Sequence, residues 1–145
     1  MKIVRELLDR KGRSVYTVTP EASVFQALED MAEHDVGALA VVDAAGELVG
    51  LISERDYARK VVLRGRVSRD TPVGEIMSTG VICVNSTQSV DACMALMTRH
   101  RTRHLPIVES GQLEGIISIG DVVLAIIEDH EFTIEQLQHY ITGTR

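Results

Sequence analysis

Nearly the same pattern runs through the chain twice, and a duplication of this length restricts its fold more than any other feature. Residues 15–56 open with Val-Tyr-Thr-Val-Thr-Pro and close with Gly50-Leu51-Ile52-Ser53-Glu54-Arg55-Asp56. Residues 81–121 open with Val-Ile-Cys-Val-Asn-Ser and close with Gly115-Ile116-Ile117-Ser118-Ile119-Gly120-Asp121. Val15 falls on Val81 and Met31 on Met97, an offset of 66; one deletion in the turn at residues 43–46 reduces it to 65, so that Ser53 and Asp56 fall on Ser118 and Asp121. A repeat this short cannot bury its apolar face alone, so two copies are expected to pack about a pseudo-two-fold axis. Such an axis leaves paired clefts between the halves, where ligands prefer to sit.

The local signals agree with a repeated β-α-β-β-α unit, an α/β (α+β) class of fold. Ile3, Val4, Leu7 and Leu8 recur at helical spacing, and Gly12 is placed to end that helix. Residues 15–18 read as a strand broken by Thr19-Pro20. Ser23 and Gln26 read as a capping box, and Val24, Ala27, Leu28 and Met31 as the buried stripe of a helix ending near His34. Strands at residues 39–42 and 48–52 form a hairpin, followed by a helix at residues 56–63. The second copy predicts a strand at 81–84, a helix at 90–100, strands at 104–108 and 113–117 and a helix from Asp121. Residues 65–75 connect the copies. Thr133 and Gln136 suggest a separate final helix, lined by Ile134, Leu137 and Ile141 and stopped by Gly143. The resulting division is residues 8–66, 74–130 and a C-terminal helix at 131–145.

At 145 residues and 45% hydrophobic, the chain can build one compact domain or two that share a core. Only 3% of residues are aromatic and the net charge is −6, which argues against nucleic-acid binding by stacking or by phosphate neutralisation. No apolar run is long enough to span a membrane, and the charged N-terminus does not resemble a secretory signal. Cys83 and Cys93 are expected to be reduced thiols of a cytoplasmic protein. The five histidines have no metal-ligand spacing, and no nucleophile motif or pair of carboxylates suggests catalysis, so neither a metal nor a catalytic cofactor is expected.

Chemistry concentrates in Gly-Leu-Ile-Ser-x-x-Asp and Gly-Ile-Ile-Ser-x-x-Asp, where a buried strand ends at serine and a helix begins. Helix N-termini favour phosphate, and an ionised aspartate can accept from two adjacent ribose hydroxyls. The plainer reading is a helix cap, serine at the N-cap and aspartate in the first turn. The two are compatible, and recurrence at matched positions favours a ligand. Arg55, Arg59 and Lys60 follow the first motif, while Arg99, Arg101, Arg103 and His104 precede a strand of the second copy. Such local positive charge in an acidic chain would attract an anion, although Arg64 and Arg99 read more simply as solvated surface.

The two motifs, the Leu105-Pro106-Ile107-Val108 strand and the duplicated β-α-β-β-α order resemble a tandem pair of CBS domains, the regulatory modules named after cystathionine β-synthase. The resemblance spans roughly residues 8–130 and leaves no room for an attached enzyme. It implies a non-catalytic sensor of an adenosyl ligand (AMP, ADP, ATP, NAD(H) or S-adenosylmethionine) bound between the repeats. It also implies a homodimer in which four repeats form a disc. Carried over, Asp56 and Asp121 would hold ribose, with Ser53 and Ser118 near phosphate. Adenine would lie against the first strand of each repeat, around Tyr16–Val18 (Thr17, Val18) or Cys83–Val84. Its other wall would be the segment before the next strand, Val36–Leu39 (Gly37, Ala38, Leu39) or Thr102–Leu105 (Arg103, His104, Leu105) with Pro106. Arg55 and Arg103 would face phosphate. The copies differ, Gly37 against Arg103 and Ala40 against Pro106, so one full and one weaker site is expected. The regulated protein target is unknown from the sequence. A rival is an interaction scaffold whose motifs are caps only; a nucleotide hydrolase ranks last.

Overall fold

The computed structural model describes the backbone of residues 2–142 and the side chains of residues 2–130. In chain order its elements are α1 (Val4–Lys11), β1 (Thr17–Val18), α2 (Val24–His34), β2 (Ala38–Val42), β3 (Leu48–Ser53) and α3 (Glu54–Tyr57), which continues into a π-helical turn, Ala58–Val62. A 3-10 turn, Ser68–Asp70, and α4 (Val73–Ile76) connect to α5 (Val90–His100), β4 (His104–Glu109), β5 (Gln112–Ser118) and α6 (Ile119–Thr142).

The two helices α2 and α5 show how closely the copies match. Ser23 and Ser89 each cap one, accepting from the backbone N–H of Gln26 and Ala92. Both helices end on a left-handed residue, Asp35 and Arg101. The expected Ser23–Gln26 box is only half formed, because the Gln26 side chain donates to Asp30 one turn on. In the first repeat β1 pairs parallel with β2, and β2 pairs antiparallel with β3. In the second, β4 and β5 form the matching hairpin.

The strand expected at 81–84 contracts to a single parallel bridge, Val84 to Ile107, held by Val84 N–H to Pro106 O and Val108 N–H to Val84 O. Pairing further back is confined to β1 of the first copy, whose register Val18 to Val41 lies 66 residues before this bridge. The separate C-terminal helix also differs: the backbone of α6 is continuous from Ile119 to Thr142, so Thr133 lies inside a helix rather than at its start. Gly143 falls outside the described residues.

Each repeat has its own core, and each is completed by a helix that precedes the other repeat in sequence. Val4, Leu7 and Leu8 of α1 join Val84, Val90, Cys93, Met97, Leu105, Ile107, Ile117 and Val122 of the second repeat. Val73 and Ile76 of α4 join Val18, Val24, Ala27, Met31, Leu39, Val41, Ile52 and Val61 of the first. Two close approaches fix these helices. A Cβ placed on Gly50 would lie 2.6 Å from Met77 Sδ and 2.9 Å from Ser78 O. A Cβ on the matched Gly115 would lie 2.9 Å from Leu8 Cδ2. Ion pairs from Lys2 and Arg10 to Glu128 further tie α1 to α6. Among the described residues no helix is long and apolar enough to cross a membrane.

Candidate functional site

Two clefts open where the motif of one repeat meets the opening segments of the other. The first, of about 650 Å³, is lined by Ser53, Glu54, Arg55 and Asp56, by Arg59 and Lys60 of the π-helical turn, by residues 78–82, and by residues 100–104. The second, of about 240 Å³, is lined by Ile116, Ser118 and Asp121, by Lys11 and residues 14–16, and by residues 35–38. Gly37 and His104 line both and form the wall between them. A Cβ on Gly37 would sit 3.1 Å from Glu54 Oε1 and 3.5 Å from His104 Nε2, so that wall is thin. Pockets that enclose ligands of this kind usually fall in the range of about 300–1,000 Å³, which the first cleft meets and the second does not.

In the first cleft, Ser53 and Asp56 form a reciprocal capping box at the start of α3. Asp56 N–H donates to Ser53 Oγ at 3.2 Å, and Ser53 N–H donates to Asp56 Oδ2 at 3.0 Å. Asp56 is only 8% exposed, and its other oxygen accepts from Ser78 Oγ at 3.2 Å and Lys60 Nζ at 3.1 Å. Ser53 Oγ also donates to Asp56 Oδ2, at 3.1 Å, so each oxygen already has two partners within the chain. The carboxylate is a rigidly oriented acceptor, which a diol would engage by exchanging with one of these partners. The helix start itself offers phosphate less than the sequence suggests. Glu54 N–H is already committed to Gly37 O and Asp56 N–H to Ser53 Oγ. The cationic side chains therefore supply most of the attraction for an anion. Arg55, Arg59, Lys60, Arg101 and Arg103 line the cleft against only two carboxylates, Glu54 and Asp56. Arg55 also donates across the repeats to Arg101 O, at 3.4 Å.

The second cleft repeats the cap with a different outcome. Ser118 N–H donates to Asp121 Oδ2 at 2.8 Å, and Asp121 N–H to Ser118 Oγ at 3.2 Å. Ile119 N–H bonds Arg103 O, the counterpart of Glu54 to Gly37. Lys11 Nζ lies 2.7 Å from Asp121 Oδ2, where Asp56 has Lys60, but this lysine comes from α1 rather than from the helix that follows the motif. Burial alone would raise the Asp121 pKa, but the Lys11 ammonium and the Ser118 hydrogen bonds outweigh it and hold the group below its ordinary value. His104 is likewise held below its ordinary value, by burial first and then by Lys11 and Arg103, against the opposing pull of Asp121. With one cation, Lys11, facing Asp35 and Asp121, this cleft has no excess positive charge.

Of the residues expected from sequence, Gly37, Ser53, Arg55, Asp56, Arg103 and His104 line the first cleft. Gly37, Ala38, His104, Ser118 and Asp121 line the second. Thr17, Val18, Leu39, Cys83, Leu105 and Pro106 line neither. Val18, Leu39 and Leu105 point into the cores instead, because alternate residues of a strand face opposite sides. Tyr16 and Val36 line the second cleft and Thr102 the first, as expected, while the walls against the opening strands also extend slightly earlier in the chain, to Val15 and to Val81 and Ile82. Cys83 is an exposed thiol and Cys93 a buried one, whose pKa burial pushes up to about 11. Among the described residues no group of three or more His, Cys, Asp or Glu is placed to hold a metal ion. Lys11 and Ser78 carried no recognisable motif and emerge only from the packing.

The family model for the CBS domain matches residues 4–63 and again residues 73–128. The chain is 37% identical over 148 residues to the CBS domain-containing protein CBSX3, mitochondrial, of Arabidopsis thaliana, across 97% of this chain and 72% of that protein. A protein with CBS domains from Burkholderia ambifaria superposes with a TM-score of 0.84 at 49% identity, covering 88% of this chain and 96% of that one. A CBS domain protein from Pyrobaculum aerophilum, in a structure complexed with AMP, superposes with a TM-score of 0.73 at 28% identity, covering 83% of this chain and 89% of that one.

Proposed function

The chain belongs to the CBS-domain family, and on that premise we propose that it is a non-catalytic regulatory module that binds an adenine nucleotide, AMP or NAD(H), in the cleft of about 650 Å³ between its repeats. The observation that carries this reading is the joint presence of a fixed acceptor and a cationic rim. Asp56, oriented by Ser53 and Ser78, faces the same space as Arg55, Arg59, Arg101 and Arg103. A ribose diol suits the first and a phosphate or pyrophosphate the second. The AMP complex of the Pyrobaculum aerophilum relative supports an adenosyl ligand for the same fold.

Binding there would bridge Ser53–Asp56 of one repeat to residues 100–104 of the other, so it can bias the arrangement of the halves by its difference in affinity for two states. A homodimer is part of the reading. Leu63, Val67, Leu124 and Ile127 are between 50% and 78% exposed, and covering such residues favours a second copy. Two reduced thiols suit a cytoplasmic setting.

Isothermal titration of the full chain tests the proposal. AMP or NAD(H) should bind with a measurable heat, and Asp56→Ala should weaken binding strongly while leaving a cooperative melt. An unchanged titration in Asp56→Ala, or none in the parent, favours the interaction-scaffold reading, in which Ser53 and Asp56 are a cap alone.

A further inference from the structure

We infer that the α6 helices of two copies wind together as a parallel, two-stranded coiled coil from Val123 to Ile141, which sets the second repeats of the two copies side by side. The inference rests on the homodimer reading above and is independent of the nucleotide.

The observation that carries it is the continuity of one helix. The family match ends at residue 128, yet the backbone of α6 runs from Ile119 to Thr142, 24 residues or about 36 Å. With a separate final helix, the apolar residues before and after residue 131 would share no register. In one helix they do. Val123, Ile127, His130, Ile134, Leu137 and Ile141 follow one another at steps of four, three, four, three and four residues. This alternation of three and four is the seam of a left-handed coiled coil. It puts isoleucine at every a position, 127, 134 and 141, and Val123, His130 and Leu137 at d. β-Branched residues at a favour two parallel strands, and a lone polar residue in the seam, here His130, fixes their register at a cost in stability.

The seam is not the face that packs on the repeat. Val122, Ala125 and Ile126 turn to the second core, about a quarter turn of helix away. Beyond Ile126 that row continues in sequence as Asp129, Thr133 and Gln136, too polar to extend a core, while the seam goes on as Ile134, Leu137 and Ile141. At its start the seam is open to solvent, with Val123 39% and Ile127 50% exposed and Leu124 beside them at 52%. A narrow apolar stripe of this period is covered by a helix with the same stripe, and a second copy supplies one in the same register. The seam also runs straight on from the exposed face of α6 that the homodimer would cover. Parallel helices must leave the two copies on the same side, so copies arranged head to tail do not fit it.

Disulfide trapping and sedimentation of the full chain test the coil. With the exposed Cys83 replaced by alanine, Ile127→Cys and Ile134→Cys should each oxidise to a covalent dimer while Gln136→Cys, off the seam, stays reduced. Sedimentation equilibrium should find a dimer that Ile134→Glu weakens by about tenfold or more and that His130→Leu tightens. Thermal melts verify that each variant folds. A dimer in which Gln136→Cys oxidises as fast as the seam cysteines, or in which neither seam cysteine oxidises, overturns the coil and leaves the homodimer standing. Oxidation at one seam position without the other overturns the parallel pairing. A monomer at every concentration removes the homodimer and this inference together, and turns the seam over to a helix of another protein. Titration with AMP is unaffected by any of these outcomes, so the nucleotide reading stands or falls separately.

Discussion

Asp56 serves two roles with one carboxylate. One oxygen completes the cap of α3, while the other accepts from Ser78 and Lys60. Ser53→Ala should therefore destabilise the chain by about 1 kcal/mol, the ordinary cost of a lost N-cap, in chemical denaturation. Asp56→Asn should keep most of the stability and lose nucleotide affinity, since an amide cannot serve as a full acceptor at both oxygens. His104, in the wall between the clefts, gives a pH prediction. Its folded pKa lies below the ordinary 6.5, so the unfolded chain takes up the proton first. The stability linked to His104 is thus fully present above pH 6.5 and is lost as the pH falls through the folded value. Denaturation midpoints at pH 7 and pH 5 should differ more in the parent chain than in His104→Gln, and equal differences would remove His104 as the cause.

Among the elements, the hairpins β2–β3 and β4–β5 and the helices α2 and α5 were legible because their signals are local: apolar runs, turn glycines and a capping serine. The first strand of the second copy was not, since Val84 makes one bridge and its neighbours make none, a difference decided by tertiary packing rather than by residue type. The assignment of α1 to the second repeat was equally hidden. Nothing near Leu8 in sequence indicates Gly115, although the two touch across the fold. The same holds for Lys11, whose partners Ile116 and Asp121 lie more than a hundred residues away. What the sequence disclosed of the site was the Ser-x-x-Asp pair and the nearby arginines. Of its opposite walls, Gly37, Ala38, Arg103 and His104 were legible, whereas Val18, Leu39 and Leu105 turn into the cores by a strand's alternation, which short strands leave poorly determined. Close packing at these junctions also gives a prediction. Gly50→Ala places a methyl against Met77 and the Ser78 carbonyl and should cost about 1–3 kcal/mol. Gly115→Ala meets only the end of the Leu8 side chain and should cost less; equal losses in urea denaturation would contradict this account.

At the scale of the molecule, two cores share an interface that carries both clefts, and each core borrows a helix from outside its own repeat. This exchange makes the repeats interdependent, so a ligand that spans them acts on the whole chain. The exposed apolar residues on α6 and beyond the π-helical turn are the face on which the proposed second copy would pack. Leu124→Glu should convert a dimer to a monomer in sedimentation velocity without lowering the melting temperature of the monomer, whereas an unchanged sedimentation coefficient would remove this face from the interface. The central claim concerns where a nucleotide sits, and a crystal structure of the full chain grown with AMP tests it most directly. The account predicts AMP in the larger cleft, its ribose hydroxyls within hydrogen-bonding distance of Asp56 and its phosphate against Arg55 or Arg103. AMP bound away from Asp56, or a cleft filled by the chain's own side chains at saturating AMP, would contradict it.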